Sequence, residues 1–125
     1  MSQKKYSVHS KGCPARAFFD RLADHWSLLI ITLLKQEKHR FNQIKREVEG
    51  ISQKVLSQKL KQLERDGLVT RTVFATVPVT VEYGLTDLGS VFANKVDKMI
   101  EWAESNLHEV KRAQQRYDQI NGAAN

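Results

Sequence analysis

Gly50-Ile51-Ser52-Gln53-Lys54-Val55-Leu56-Ser57-Gln58-Lys59-Leu60-Lys61-Gln62-Leu63-Glu64-Arg65-Asp66-Gly67 is the stretch that decides the fold. Leu56, Leu60 and Leu63 recur at i, i+4 and i+7, the spacing that gathers side chains on one face of an α-helix. Ser52 is suited to be the N-cap, because its hydroxyl can accept from an amide that the first turn leaves unpaired. Gly67, following Asp66, is suited to stop the helix in a left-handed C′ conformation. On a wheel of 100° per residue Leu60 and Leu63 fall within about 40° of Leu56. Lys54, Gln58, Lys61 and Arg65 cluster on the opposite side, with Ser57 at the margin and Glu64 turned away. A merely solvated face usually mixes signs, often as Glu to Lys pairs four apart. This stripe suits a major groove instead: Lys donates to guanine O6 and N7, Gln pairs with adenine, and Ser serves base or phosphate.

Upstream, Phe41, Ile44 and Val48 at helical spacing predict a shorter helix from Phe41 to Val48, and Glu49-Gly50-Ile51 a tight turn. The two helices read as a helix-turn-helix, whose first member crosses the nucleic-acid backbone. Asn42, Gln43, Lys45 and Arg46 are therefore candidates to hold phosphates, and Ser52, Gln53 and Arg71 join the candidate set. Downstream the period changes. Leu68 to Phe74 and Val79 to Leu85 are rich in Val, Thr and aromatics, with Val69, Arg71, Val73 and Val79, Val81, Tyr83, Leu85 alternating. That predicts two strands joined at Ala75 to Pro78, a hairpin whose tip carries no cation.

Further out, Cys13-Pro14 opens a first helix, since Pro suits the first turn, and Phe18, Phe19 and Leu22 give it an apolar side. Trp26 to Gln36 is apolar nearly all round and should be the central buried helix. Thr86 and Asp87 offer N-cap chemistry to a last helix running through Val91, Phe92, Val96, Met99, Ile100, Ala103, Leu107 and Val110. About 30 residues of helix would measure about 45 Å, longer than a small domain needs, so its outer part is expected to pack on a second subunit. The expected fold is mainly α (α+β): a winged helix-turn-helix with a long C-terminal dimerisation helix. Residues 1–12 would be a flexible arm, 13–87 the DNA-binding domain, and 88–125 the dimerisation helix and tail.

Charge follows the same division. The 125 residues carry a net +6, yet from Lys35 to Arg71 ten basic residues face five acidic ones, and from Thr72 onward five face seven. A local basic excess suggests a polyanionic partner, nucleic acid before membrane surface. The longest nearly apolar run, Trp26 to Leu34, has nine residues, against the roughly 20 of a spanning helix. Lys4 and Lys5 lead into the polar run Tyr6 to Gly12 and not into a signal-peptide core. With one cysteine and no internal disulfide, a cytoplasmic location is expected.

The runs Gly50-Ile51-Ser52-Gln53-Lys54-Val55-Leu56, Leu63-Glu64-Arg65-Asp66-Gly67-Leu68-Val69 and Val77-Pro78 to Val81-Glu82-Tyr83-Gly84-Leu85-Thr86 resemble the signature of the HxlR family of bacterial winged-helix transcription regulators. Cys13-Pro14, Trp26 with its apolar continuation, and His39-Arg40-Phe41-Asn42 fit the same pattern, so the resemblance covers roughly Cys13 to Trp102. It implies a homodimer built through the terminal helices, on a pseudo-palindromic double-stranded DNA operator, with repression the expected effect. Family members often carry a basic wing residue just before the Val-Glu-Tyr run, where this chain has Thr80. Several proteins of this type sense reactive oxygen, quinones or aldehydes through a cysteine at the matching place.

That places Cys13 among the candidate residues. It precedes a helix N-terminus, whose dipole favours thiolate, and Lys11 and Arg16 are close in sequence. An intersubunit bond would join Cys13 to Cys13 of the partner subunit; otherwise the thiol would be capped by a small thiol or alkylated. No enzyme is expected: His9, His25, His39 and His108 stand without a carboxylate pair, a nucleophile motif or zinc spacing, and no cofactor or metal is implied. His25 reads as a helix-start residue and His39 as a turn or strand residue. Trp26 and Trp102 read as core, with an effector pocket beside them the other reading, its ligand unknown. The rival class is a winged-helix interaction or architectural module that does not read DNA specifically.

Overall fold

The computed structural model describes residues 6–122 of the 125-residue chain. The first five residues of the N-terminal arm and the last three of the tail therefore lie outside the described residues. Five helices and three strands follow in the order α1 (Pro14–Leu22), α2 (His25–Gln36), β1 (His39–Arg40), α3 (Phe41–Glu47), α4 (Gln53–Arg65), β2 (Val69–Phe74), β3 (Thr80–Leu85) and α5 (Asp87–Ile120). This is a winged helix-turn-helix, mainly helical with one small antiparallel sheet. The chain divides into two compact units between Ala93 and Asn94.

In the first unit the core is built from the apolar spacings: Ile30, Ile31 and Leu34 of α2, Ile44 of α3, Leu56, Leu60 and Leu63 of α4, with Leu68, Val69 and Ala93. The helix boundaries have local causes. Asp24 caps α2 by accepting from the Ser27 N–H, and Ser52 caps α4 by accepting from Val55 N–H at 3.1 Å. Gly67, at φ +80°, ends α4 in a Schellman turn. Its N–H bonds the Glu64 carbonyl, and the Leu68 N–H reaches back to Leu63. Thr86 then ties that turn to α5, since its hydroxyl donates to Gly67 O at 2.6 Å and accepts from Gly89 N–H at 3.0 Å.

The strands run in the order β1-β3-β2, all antiparallel. Register places His39, Tyr83 and Arg71 side by side across the three strands. His39 is a strand residue, buried, with Nδ1 2.7 Å from the Glu37 carbonyl. Three readings are corrected here. Phe19 is 54% exposed, so α1 meets the core through Phe18 and Leu22 alone. Beyond Val69 strand β2 is exposed throughout, because the outer half of the hairpin extends past the residues that bury its base. Trp26 does pack on the core, whereas Trp102 is 64% exposed.

Trp102 belongs to the second unit, the remaining length of α5. That length repeats apolar residues at alternating steps of three and four, with Asn106 the one polar member: Met99, Ala103, Asn106, Val110, Ala113, Tyr117 and Ile120. Met99, Val110, Tyr117 and Ile120 are large and exposed, as are the flanking Trp102 and Leu107. Asn106 donates to the Trp102 carbonyl at 2.8 Å, within the same helix. No helix among the described residues is long and apolar enough to cross a membrane.

Candidate nucleic-acid interface

Helix α4 buries Leu56, Leu60 and Leu63, and that burial fixes which side chains face out. Lys54, Gln58, Lys61 and Arg65 are all exposed, as are Ser52 and Gln53 at the helix start, while Ser57 is half-buried at the edge. Among the described residues none of Lys54, Lys61 and Arg65 makes an ion pair, so three cations on one stripe are left to solvent. The Ser52 hydroxyl caps α4 by accepting from Val55 N–H, which leaves its O–H and one lone pair for other partners.

The sheet brings Arg71 to this stripe. A cavity of about 430 Å³ between α4 and the hairpin is lined by Ser57, Lys61, Glu64, Arg71 and Tyr83. Glu64, expected to turn away from the basic stripe, thus borders it. At 100° per residue it lies about 20° from Ser57, and the wheel alone does not show which flank the hairpin will cover. The interface therefore holds one carboxylate, an acceptor able to take a hydrogen bond from the N4 amino group of cytosine.

On α3, Asn42, Lys45 and Arg46 are exposed. Gln43 is exposed too, but its Oε1 accepts the Arg40 N–H at 2.8 Å and so fixes the start of the helix. A second cavity, about 610 Å³, opens between this helix start and β3, lined by Glu37, Lys38, Arg40, Asn42, Thr80 and Glu82 among others. Lys38 and Arg40 were not singled out from sequence, although a pair of cations flanking His39 just before α3 was the available signal. The hairpin tip is pinned by Thr76, whose hydroxyl donates to Pro78 O at 2.7 Å, and Val77 stands fully exposed there.

Cys13 is half-buried at the N-cap of α1. Partial desolvation raises its thiol, but the backbone N–H groups of Arg16, Ala15 and Ser7 together outweigh that, and its pKa lies below the ordinary thiol value. The cause is amides at a helix start and not the side-chain charges of Lys11 and Arg16. Part of the N-terminal arm adds to this surround through turns, with Ser10 N–H on Ser7 O and Cys13 N–H on Ser10 O. Among the described residues no three His, Cys, Asp or Glu side chains gather closely enough to hold a metal.

Known proteins share this fold. The family profile described as HxlR-like helix-turn-helix matches residues 21–121. The uncharacterized HTH-type transcriptional regulator YtfH of Escherichia coli strain K12 is 37% identical over 107 residues, spanning 86% of this chain and 85% of that one. Among solved structures, the regulator YtfH from Salmonella typhimurium superposes with a TM-score of 0.83 at 34% identity, covering 89% of this chain and 99% of that chain. The redox regulator HypR in its reduced form gives a TM-score of 0.72 at 34% identity, covering 79% of this chain and 98% of that one.

Proposed function

The chain belongs to the HxlR-like helix-turn-helix family and is a transcriptional regulator of that type; from this premise we propose that it acts in the cytoplasm as a homodimeric repressor on a pseudo-palindromic DNA operator. The observation that carries the reading is the cationic stripe of α4, without ion pairs among the described residues and opposite three buried leucines. Lys54, Gln58 and Lys61 take the base edges, with Ser57 and Gln53 beside them. Arg65, Arg71, Asn42, Lys45 and Arg46 take phosphates and fix the register. Gln43 and Ser52 contribute by holding the starts of α3 and α4. The exposed seam of α5 supports self-association of residues 88–125, and residues 13–87 then form the DNA-binding domain.

Cys13 is the proposed control point. Its lowered pKa and the likeness to HypR, a redox regulator, support this role. Two Cys13 thiols, one from each subunit, would join as a disulfide by giving up two electrons and two protons to an oxidant such as diamide. Alkylation by a quinone would instead add one sulfur to the ring carbon. Either change acts at the start of α1.

The test is fluorescence anisotropy with a duplex from the DNA adjoining this protein's own gene and with a scrambled duplex, over a series of salt concentrations. The adjoining duplex should be preferred by about 10³ or more. Equal binding would overturn it and leave the reading as an interaction or architectural module.

A further inference from the structure

Two ion pairs hold the proposed recognition helix from behind, away from the stripe that faces DNA. Arg21, in the last turn of α1, grips Asp66 with both arms of its fork: Nε donates to Oδ2 and Nη2 to Oδ1, each at 2.9 Å. Asp66 is the C-cap residue of α4, and only 13% of its side chain is exposed. Two turns earlier on the same helix, Lys59 Nζ lies 3.3 Å from Oδ2 of Asp24, the N-cap of α2. Arg21 and Asp24 stand at one corner of the fold, while Lys59 and Asp66 are about 10 Å apart along α4.

The apolar face of α4 does not by itself fix its orientation. Burial of Leu56, Leu60 and Leu63 is non-directional and leaves roll and tilt comparatively soft. Base-edge hydrogen bonds are not soft, since they require donor and acceptor within about 2.7–3.2 Å. A bidentate Arg–carboxylate pair sets an angle as well as a distance, and a second attachment two turns away sets the other degree of freedom. Helix α1 has no fully buried residue, so its hold on α4 depends on this polar attachment more than on the core.

We propose that Arg21–Asp66 and Asp24–Lys59 are positioning pairs that set the tilt and roll of α4, and with them the register in which Lys54, Gln58 and Lys61 meet the bases. The proposal rests on the DNA-reading function above. It also makes α1, whose N-cap is Cys13, the element through which a change at that thiol reaches the recognition helix.

The two members of each pair carry opposite charge, and this separates positioning from simple attraction to DNA. Arg21→Gln removes a cation and Asp66→Asn removes an anion. Their effects on a scrambled duplex should be opposite in sign, weaker for the first and tighter for the second. Both should nevertheless lower the preference for the adjoining duplex over the scrambled one by about tenfold. Arg21→Asp combined with Asp66→Arg should restore that preference to within about threefold. Asp24→Asn keeps the cap of α2, because Asn caps as well as Asp, and should also lower the preference. Circular dichroism and thermal melts on the same variants report folding. A preference unchanged in Arg21→Gln and Asp66→Asn, with only the melting temperature moved, would overturn the proposal while leaving the function intact. Wild type binding both duplexes alike would overturn both.

Discussion

Gly89 sits in the first turn of α5, where a Cβ would stand 2.0 Å from the Leu68 carbonyl oxygen. Backbone cannot yield as a flexible side chain can, so Gly89→Ala should destabilise the domain by at least the 1–3 kcal/mol typical of overpacking. Gly67 is a different case: a Cβ there meets nothing within 4 Å, and only its φ of +80° resists substitution. Gly67→Ala should cost about 1–2 kcal/mol, and urea melts of the two variants would rank them. The role of Gly67 was legible in sequence because a helix stop is local. That of Gly89 was not, because its neighbour lies on a turn 21 residues earlier. Cys13 adds a pH prediction. A pKa below the ordinary thiol value means more thiolate at a given pH, so the pH midpoint of iodoacetamide alkylation should lie below that of the same thiol in the urea-unfolded chain.

At the scale of the element, α4 separates specificity from affinity. Lys54→Ala or Gln58→Ala should lower discrimination between operator and scrambled duplex by about 1–3 kcal/mol. Arg46→Ala on α3 should weaken both duplexes alike and reduce the salt slope by about 1. Competition anisotropy at two salt concentrations reads both quantities. The helices, the Ser52 cap and the basic stripe could be read from the chain because periodicity and capping depend on residues a few positions apart. What periodicity could not reach was the neighbour on each flank. Glu64 borders the stripe because the hairpin closes over that side of α4, and Lys38 and Arg40 open toward α3 because a two-residue strand pairs with β3. Phe19 satisfied the helical spacing of α1 yet stays exposed, since α1 meets the core on a narrower face than its apolar residues describe.

For the whole molecule, the net charge of +6 divides along the proposed functions, with the excess in the first 71 residues, the helix-turn-helix above all, and none in the part proposed to self-associate. Val110 and Tyr117, on the exposed seam of α5, are 41% and 66% exposed. Glutamate at both positions should shift sedimentation from dimer to monomer and weaken operator binding by losing the second half-site, with the helical circular dichroism of the chain retained. Two recognition helices related by a two-fold axis should reach half-sites about 34 Å apart, one turn of B-DNA. Hydroxyl-radical footprinting on the DNA adjoining this protein's own gene tests that claim most directly. Two protected half-sites are expected, symmetric and centred about 10 bp apart, both lost in Lys54→Ala combined with Gln58→Ala. Protection without half-sites, or a footprint unchanged in that variant, would contradict it.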